Sequence, residues 1–195
     1  MTQTLYLIRH GQTLFNQKKQ IQGASDSPLT ELGKEQANAA KRYLDQLNLS
    51  NYELFSSTQE RASDTLEILF PNESYTRLKG IKEWNYGMFE GESELLNPPR
   101  EKGVVLFGDF FAGYGGETAD EVQERAINTL TDMMKQTTKK NIIAVSHGDV
   151  LLLFARKWLP LEEVQKMYFG NCCILKFEYE DDKFRFLEIE NPAVN

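Results

Sequence analysis

The chain has only two histidines, and they stand in matching contexts: His10 in Ile8-Arg9-His10-Gly11 and His147 in Ser146-His147-Gly148. Each follows a short apolar run, residues 5–8 in one case and 142–145 in the other, and each precedes a glycine. An imidazole can serve as nucleophile, acid or base near neutral pH. Arg9 puts a fixed positive charge beside His10, and Arg61, in Thr58-Gln59-Glu60-Arg61, follows a third short run, Phe55-Ser56-Ser57. A guanidinium in the first turn of a helix sits beside unpaired amides, and together they make an anion site. Two imidazoles and two guanidiniums in one place describe a pocket for a small, multiply charged oxyanion, and phosphate fits best. Taken singly, each residue has a plainer explanation. A histidine after a strand is more often structural, and Arg61 alone would pair with Glu60 or Asp64 on a helix surface. The two matched histidine contexts, with both arginines alongside, favour a shared site. Zinc or iron would want a third protein ligand, and the arginines would repel a cation, so no metal is expected.

For these residues to meet, they must lie at one edge of a sheet. Residues 5–8 and 141–146 are apolar on both faces, the pattern of buried strands, and residues 53–56 form a shorter one. Helical spacing follows each. Thr30 is a candidate N-cap for a helix carrying Leu32, Gln36, Ala39, Ala40, Tyr43, Leu44 and Leu47 mostly on one face. A second helix runs from about residue 59 to 69 and stops at Pro71. Thr118-Ala119-Asp120-Glu121 reads as a capping box for a third, and residues 151–158 form a fourth. Residues 173–178 and 184–189 flank Asp181-Asp182 as a closing hairpin. The expectation is an α/β fold, a three-layer α/β/α sandwich on a central, mostly parallel mixed sheet, with ligands bound beyond the carboxyl ends of its strands. A glycine after each histidine suits a strand-to-helix turn that needs backbone freedom. Residues 92–116, with Pro98, Pro99 and glycines from Gly103 to Gly116, read as a lid-like insertion in a single domain spanning 1–195. Phe107, Phe110, Phe111 and Tyr114 must find cover there.

Composition narrows the function classes. Among 195 residues, 22 Lys plus Arg against 29 Asp plus Glu give a net charge of −7, which argues against nucleic acid and against an anionic membrane surface. The longest apolar stretch, residues 150–155, is far below the ~20 residues of a membrane helix. Met1-Thr2-Gln3-Thr4 opens no signal peptide pattern, and the adjacent Cys172 and Cys173 are poorly placed for an ordinary disulfide, so a reduced, cytoplasmic protein is expected. In a strand, one of the two thiols would face the core and the other outward.

The ordered motifs resemble the histidine phosphatase superfamily, also called the phosphoglycerate mutase-like family. Leu7-Ile8-Arg9-His10-Gly11-Gln12-Thr13, with Asn16 and Gln22-Gly23, is similar to its N-terminal signature. Pro28-Leu29-Thr30 with Gly33, then Ser56-Ser57 to Arg61-Ala62 and Thr65, resemble the next blocks. Glu83 in Lys82-Glu83-Trp84-Asn85-Tyr86-Gly87, followed by Glu90-Gly91, resembles the proton-donor block, and Gly115-Gly116-Glu117-Thr118 and Ser146-His147-Gly148 complete the order. Gln12 stands where many members have Glu, a near-isosteric change outside the expected phosphate contacts.

The resemblance implies that His10 is a nucleophile forming a phosphohistidine, and that Arg9, Arg61 and His147 hold the non-bridging oxygens. It implies that Asn16 and Gly23 add hydrogen bonds to the phosphate or its leaving group. Glu83 would protonate the leaving oxygen and then activate water, which needs a carboxyl pKa raised toward neutrality. Neither cofactor nor metal is implied. Phosphoglycerate mutases of the family carry Arg-His-Tyr-Gly after the proton donor, with further basic residues for the substrate carboxylate. Here Trp84-Asn85-Tyr86-Gly87 follows Glu83, and Arg100 and Lys102 are the only basic residues between Glu83 and Gly116. A metal-independent phosphatase acting on a small phosphorylated metabolite is therefore favoured over a mutase, and over a phosphate-binding protein without turnover. A homodimer is compatible with the sequence.

Overall fold

The computed structural model describes residues 2–99 and 106–194. Its centre is a six-stranded sheet in the order β3-β2-β4-β1-β5-β6. The strands are β1 (Gln3–Arg9), β2 (Tyr52–Ser57), β3 (Thr76–Leu78), β4 (Asn141–Ser146), β5 (Ile174–Glu180) and β6 (Lys183–Glu190). β3, β2, β4 and β1 run parallel, while β5 lies antiparallel to β1 and makes a hairpin with β6. The expected mixed, mainly parallel sheet is present, and β4 matches its sequence limits.

Period-two alternation sends successive side chains to opposite layers. From β1, Leu5 and Leu7 join one core with α4 (Ala119–Gln136) and α5 (Gly148–Trp158), through Leu130, Met133, Leu151 and Phe154. Tyr6 and Ile8 join the other with α2 (Glu31–Gln46) and α3 (Glu60–Leu69), through Ala37, Ala40, Leu44, Ala62 and Leu66. The small α2 residues let that helix lie close to the sheet. Thr30 caps α2 by accepting from the Gly33 amide, and Thr118 with Glu121 forms the capping box of α4. Two short helices, α1 (Leu14–Lys18) and α6 (Leu161–Val164), lie on the connections.

Some expectations are corrected. Leu32 is exposed, because the buried face of α2 runs through Gly33, Ala37, Ala40 and Leu44. Neither cysteine faces outward. Cys172 precedes β5 in a left-handed turn (φ 59°) and packs into the α2/α3 layer, while Cys173 packs into the α4/α5 layer. With both faces covered by helices, alternation moves a residue from one core to the other. Burial pushes both thiols up to about 12.

A third apolar cluster fills the space beside the sheet edge. Trp84, Tyr86, Phe111, Ile21 and Leu106 pack there against Val122, Ala126, Val150 and Leu153. Three 3-10 turns, Gly87–Phe89, Glu94–Leu96 and Phe110–Tyr114, carry the chain around it. Arg100 and Lys102, with the rest of residues 100–105, lie outside the described residues. No helix among the described residues is long and apolar enough to cross a membrane.

Candidate active site

β1 and β4 are adjacent and in register, with Arg9 opposite Ser146. The next residue on each strand is a histidine, so pairing alone brings His10 and His147 together. Their ring centroids are 5.2 Å apart, and the His10 amide donates to Ser146 O at 3.0 Å. The histidine-flanking glycines serve close approach rather than a special backbone angle. A Cβ on Gly11 would sit 2.5 Å from Gly33 O, and one on Gly148 would sit 3.2 Å from Arg9 Nε.

His10 Nδ1 lies 2.7 Å from the Gly11 carbonyl, which can only accept, so Nδ1 carries the proton and Nε2 keeps its lone pair. Burial, then the charges of Arg61 and Arg9, push the His10 pKa well below its usual value and keep the ring neutral. His147 is driven the same way by burial and then by Arg61. Both its ring nitrogens are buried without a partner among the described residues, as is Arg9 Nε. Buried polar atoms are normally satisfied, so these three atoms beside a neutral His10 have hydrogen-bonding capacity to offer a ligand.

Arg61 is wholly buried, not a surface residue. Its Nη1 donates to Ser25 O and Asp26 Oδ1, both at 2.9 Å, its Nη2 to Gly23 O at 2.9 Å, and its Nε to His10 Nε2 at 3.3 Å. The ion pair with Asp26 offsets part of the cost of burying the charge. Those bonds leave one Nη2 hydrogen and the long Nε contact available to an incoming oxyanion. Arg9 is held through Nη1 to Phe169 O at 2.6 Å.

A cavity of about 530 Å³ is lined in part by Arg9, Asn16, Glu83, Asp149, Leu106 and Phe107, while His10, Arg61 and His147 do not line it. Glu83 is buried at its wall, and burial first and the Asp149 charge second raise its carboxyl pKa to about 7. Gly23 does not line the cavity. Its carbonyl accepts from Arg61 and from Gln59 Nε2, and a Cβ there would lie 2.1 Å from Trp84 O. Asn16 reaches the cavity, while its Oδ1 accepts from the Thr13 amide at 3.2 Å. Gln12 holds the start of α2 through Thr30.

Of Phe107, Phe110, Phe111 and Tyr114, Phe107 alone lines the cavity. Phe111 is wholly buried, and Phe110 and Tyr114 are partly exposed and pack against Phe89. Sequence reasoning missed Gln59, which joins the two halves of the site by donating to Gly23 O and accepting from the Glu83 amide at 2.8 Å. It also missed Asp26, Tyr86 and Asp149. The signal for Asp149 was its place one residue after His147-Gly148; for Asp26 and Tyr86 no local signal existed. Among the described residues, no group of three or more His, Cys, Asp or Glu could hold a metal ion.

The family model of the histidine phosphatase superfamily (branch 1) matches residues 5–192. The chain belongs to that superfamily. Histidine phosphatases similar to it carry different activities in their names. A probable phosphoglycerate mutase GpmB from Yersinia pestis (strain Pestoides F) is 29% identical over 185 residues, covering 91% of this chain and 85% of that protein. Among solved histidine phosphatase folds, YhfR from Bacillus stearothermophilus is 26% identical with a TM-score of 0.79, over 94% of this chain and 95% of that one. A mutant phosphoserine phosphatase from Entamoeba histolytica, solved in complex with phosphoserine, is 27% identical with a TM-score of 0.79, over 98% of each chain.

Proposed function

We propose that this histidine phosphatase is a metal-independent phosphomonoesterase for small phosphorylated metabolites, working through a phosphohistidine on His10. The carrying observation is the His10 ring, neutral and protonated on Nδ1, with Nε2 beside Arg61 and the unpartnered nitrogens of His147 and Arg9. Nε2 attacks phosphorus in line with the ester oxygen. Arg9, Arg61 and the His147 N–H take the three equatorial oxygens, with Asn16 at the rim. Glu83 gives its proton to the departing oxygen, then takes one from the water that cleaves the phosphohistidine. A carboxyl titrating at about 7 suits both steps. Gly23 acts through Arg61 rather than by touching phosphate.

Hydrolysis is favoured over phosphoglycerate isomerisation by the leaving-group side of the cavity. Trp84, in place of the arginine of the mutases, is wholly buried and donates its indole N–H to Glu117 O at 2.7 Å. Arg9 is the one cation among the described lining residues, where Gln20, Asn97, Gln165 and Leu161 also face the space. Such walls suit an ester whose alcohol carries little negative charge. The mutase name of the Yersinia relative makes isomerisation the competing outcome.

The test is phosphate release from a panel of phosphomonoesters in EDTA, with acid-labile phosphoprotein trapped at early times and 3-phosphoglycerate isomerisation followed after adding 2,3-bisphosphoglycerate. Release and trapping by wild type, both lost at least about 10³-fold in His10→Ala, are expected. Isomerisation without net release would replace the phosphatase reading with the mutase one.

A further inference from the structure

Glu83 has both carboxyl oxygens held by backbone. The Trp84 amide donates to Oε1 at 2.9 Å, and the Asp149 amide, in the first turn of α5, donates to Oε2 at 3.3 Å. Asp149 thus approaches Glu83 with its amide while also lining the same cavity with it. Its side chain is held in turn by the Tyr86 hydroxyl, which donates to Asp149 Oδ2. Burial and the Asp149 charge push the Tyr86 phenol well above its usual range, so it acts there as a donor only. Tyr86 is itself fixed by stacking on Trp84 (5.8 Å between centroids, 17° between planes) and by Phe111 edge-on at 4.8 Å. A continuous chain of contacts therefore runs from the aromatic cluster through Tyr86 and Asp149 to Glu83.

The charges around Glu83 are mixed. The Trp84 amide, Arg61 of α3 and the Asp149 amide favour its ionised form, whereas burial and the Asp149 side-chain charge oppose it, and Arg9 borders the same cavity. His10 and His147 are held neutral. Arg125 of α4 donates to the Glu83 carbonyl at 3.0 Å but is ion-paired with Glu117. Glu90 accepts from the Ala24 and Tyr86 amides. Against these cations, the carboxylate in direct backbone contact with the Glu83 carboxyl is Asp149.

We propose that Asp149, anchored by Tyr86, is a positioning residue that keeps Glu83 protonated and oriented toward the leaving-group oxygen. The proposal rests on the phosphatase reading and deepens it. As the bond from His10 Nε2 to phosphorus forms and the phosphorus–oxygen ester bond breaks, the Glu83 proton passes to the departing oxygen. Glu83 is then a carboxylate next to a second carboxylate, and that repulsion makes it a stronger base toward the attacking water. One neighbour thus serves both halves of the cycle.

The experiment compares pH profiles of kcat/KM for wild type, D149N and D149S. Both variants remove the charge and keep an oxygen for the Tyr86 hydroxyl. Each profile is measured with an alkyl phosphate, whose alcohol must be protonated to leave, and with para-nitrophenyl phosphate, whose phenolate leaves unaided. The expected result is a basic limb moved down by about one pH unit or more with the alkyl ester only. Thermal unfolding identifies which variant is folded, and either one suffices. A limb that stays in place while the rate drops equally at every pH overturns the proposal and reduces Asp149 to a structural role; so does an equal shift with both esters. Failure of the phosphatase reading is seen separately, as wild type that neither releases phosphate nor traps it on His10.

Discussion

The two sides of the proposed site are built by different means. On the side proposed to hold phosphate, His10 and His147 are the first residues beyond two paired strands, and Arg61 stands in the first turn of α3. Regular backbone geometry fixes their places. On the leaving-group side, Glu83 lies in a loop held by single side chains: Gln59 accepts its amide, and Arg125 donates to its carbonyl. Beyond it, 3-10 turns wrap an aromatic cluster. The difference teaches where change is tolerated. Moving a strand end disturbs the sheet, whereas repacking a turn reshapes the space for the alcohol and leaves the phosphate cradle alone.

If this division is real, E83Q separates the two sides. Hydrolysis of alkyl phosphates should fall about 10²- to 10⁴-fold, while burst release from para-nitrophenyl phosphate persists. Loss of that burst would join the two sides into one unit. Phe111→Ala should cost about 3–5 kcal/mol in denaturant unfolding, since a wholly buried ring is removed from the centre of the cluster. At temperatures where it stays folded, its selectivity among alcohols should change more than its rate with the nitrophenyl ester. A uniform loss for all esters would show that the cluster also supports the phosphate side.

A smaller effect concerns stability against pH. Burial raises the Glu83 pKa from 4.5 to about 7, so the folded state binds this proton more tightly than the unfolded chain. That contribution is full below about 4.5 and is lost as pH rises through about 7. The two histidines act oppositely, because their lowered pKa values give stability that is lost as pH falls below about 6.5. Subtracting the E83Q curve isolates Glu83: the variant should gain on wild type between pH 5 and 8, read as melting temperature. Smallest of all, Thr118→Ala removes the α4 cap and should cost about 1 kcal/mol with kcat unchanged.

The same division explains what could be read from the sequence. β4, the capping residues Thr30 and Thr118, and the meeting of His10, His147 and Arg61 follow from periodicity and from motifs at strand ends. Glu83 came only with the resemblance, since no local pattern separates it from other acids. The Arg61–Asp26 pair, the link through Gln59, and the Tyr86–Asp149–Glu83 chain depend on loops meeting in three dimensions. One of the two adjacent thiols was expected to face outward, but helices cover both faces of the sheet and each thiol packs into a different layer.

That placement of Cys172 and Cys173 reaches beyond folding. Each thiol is walled into a different layer and kept in its unreactive protonated form. Maleimides and mild oxidants should pass over the native protein, so a cysteine introduced on an exposed turn, for example at Leu95, would take a single fluorophore. Opening of the turns around the cavity could then be followed in solution without first removing the protein's own cysteines.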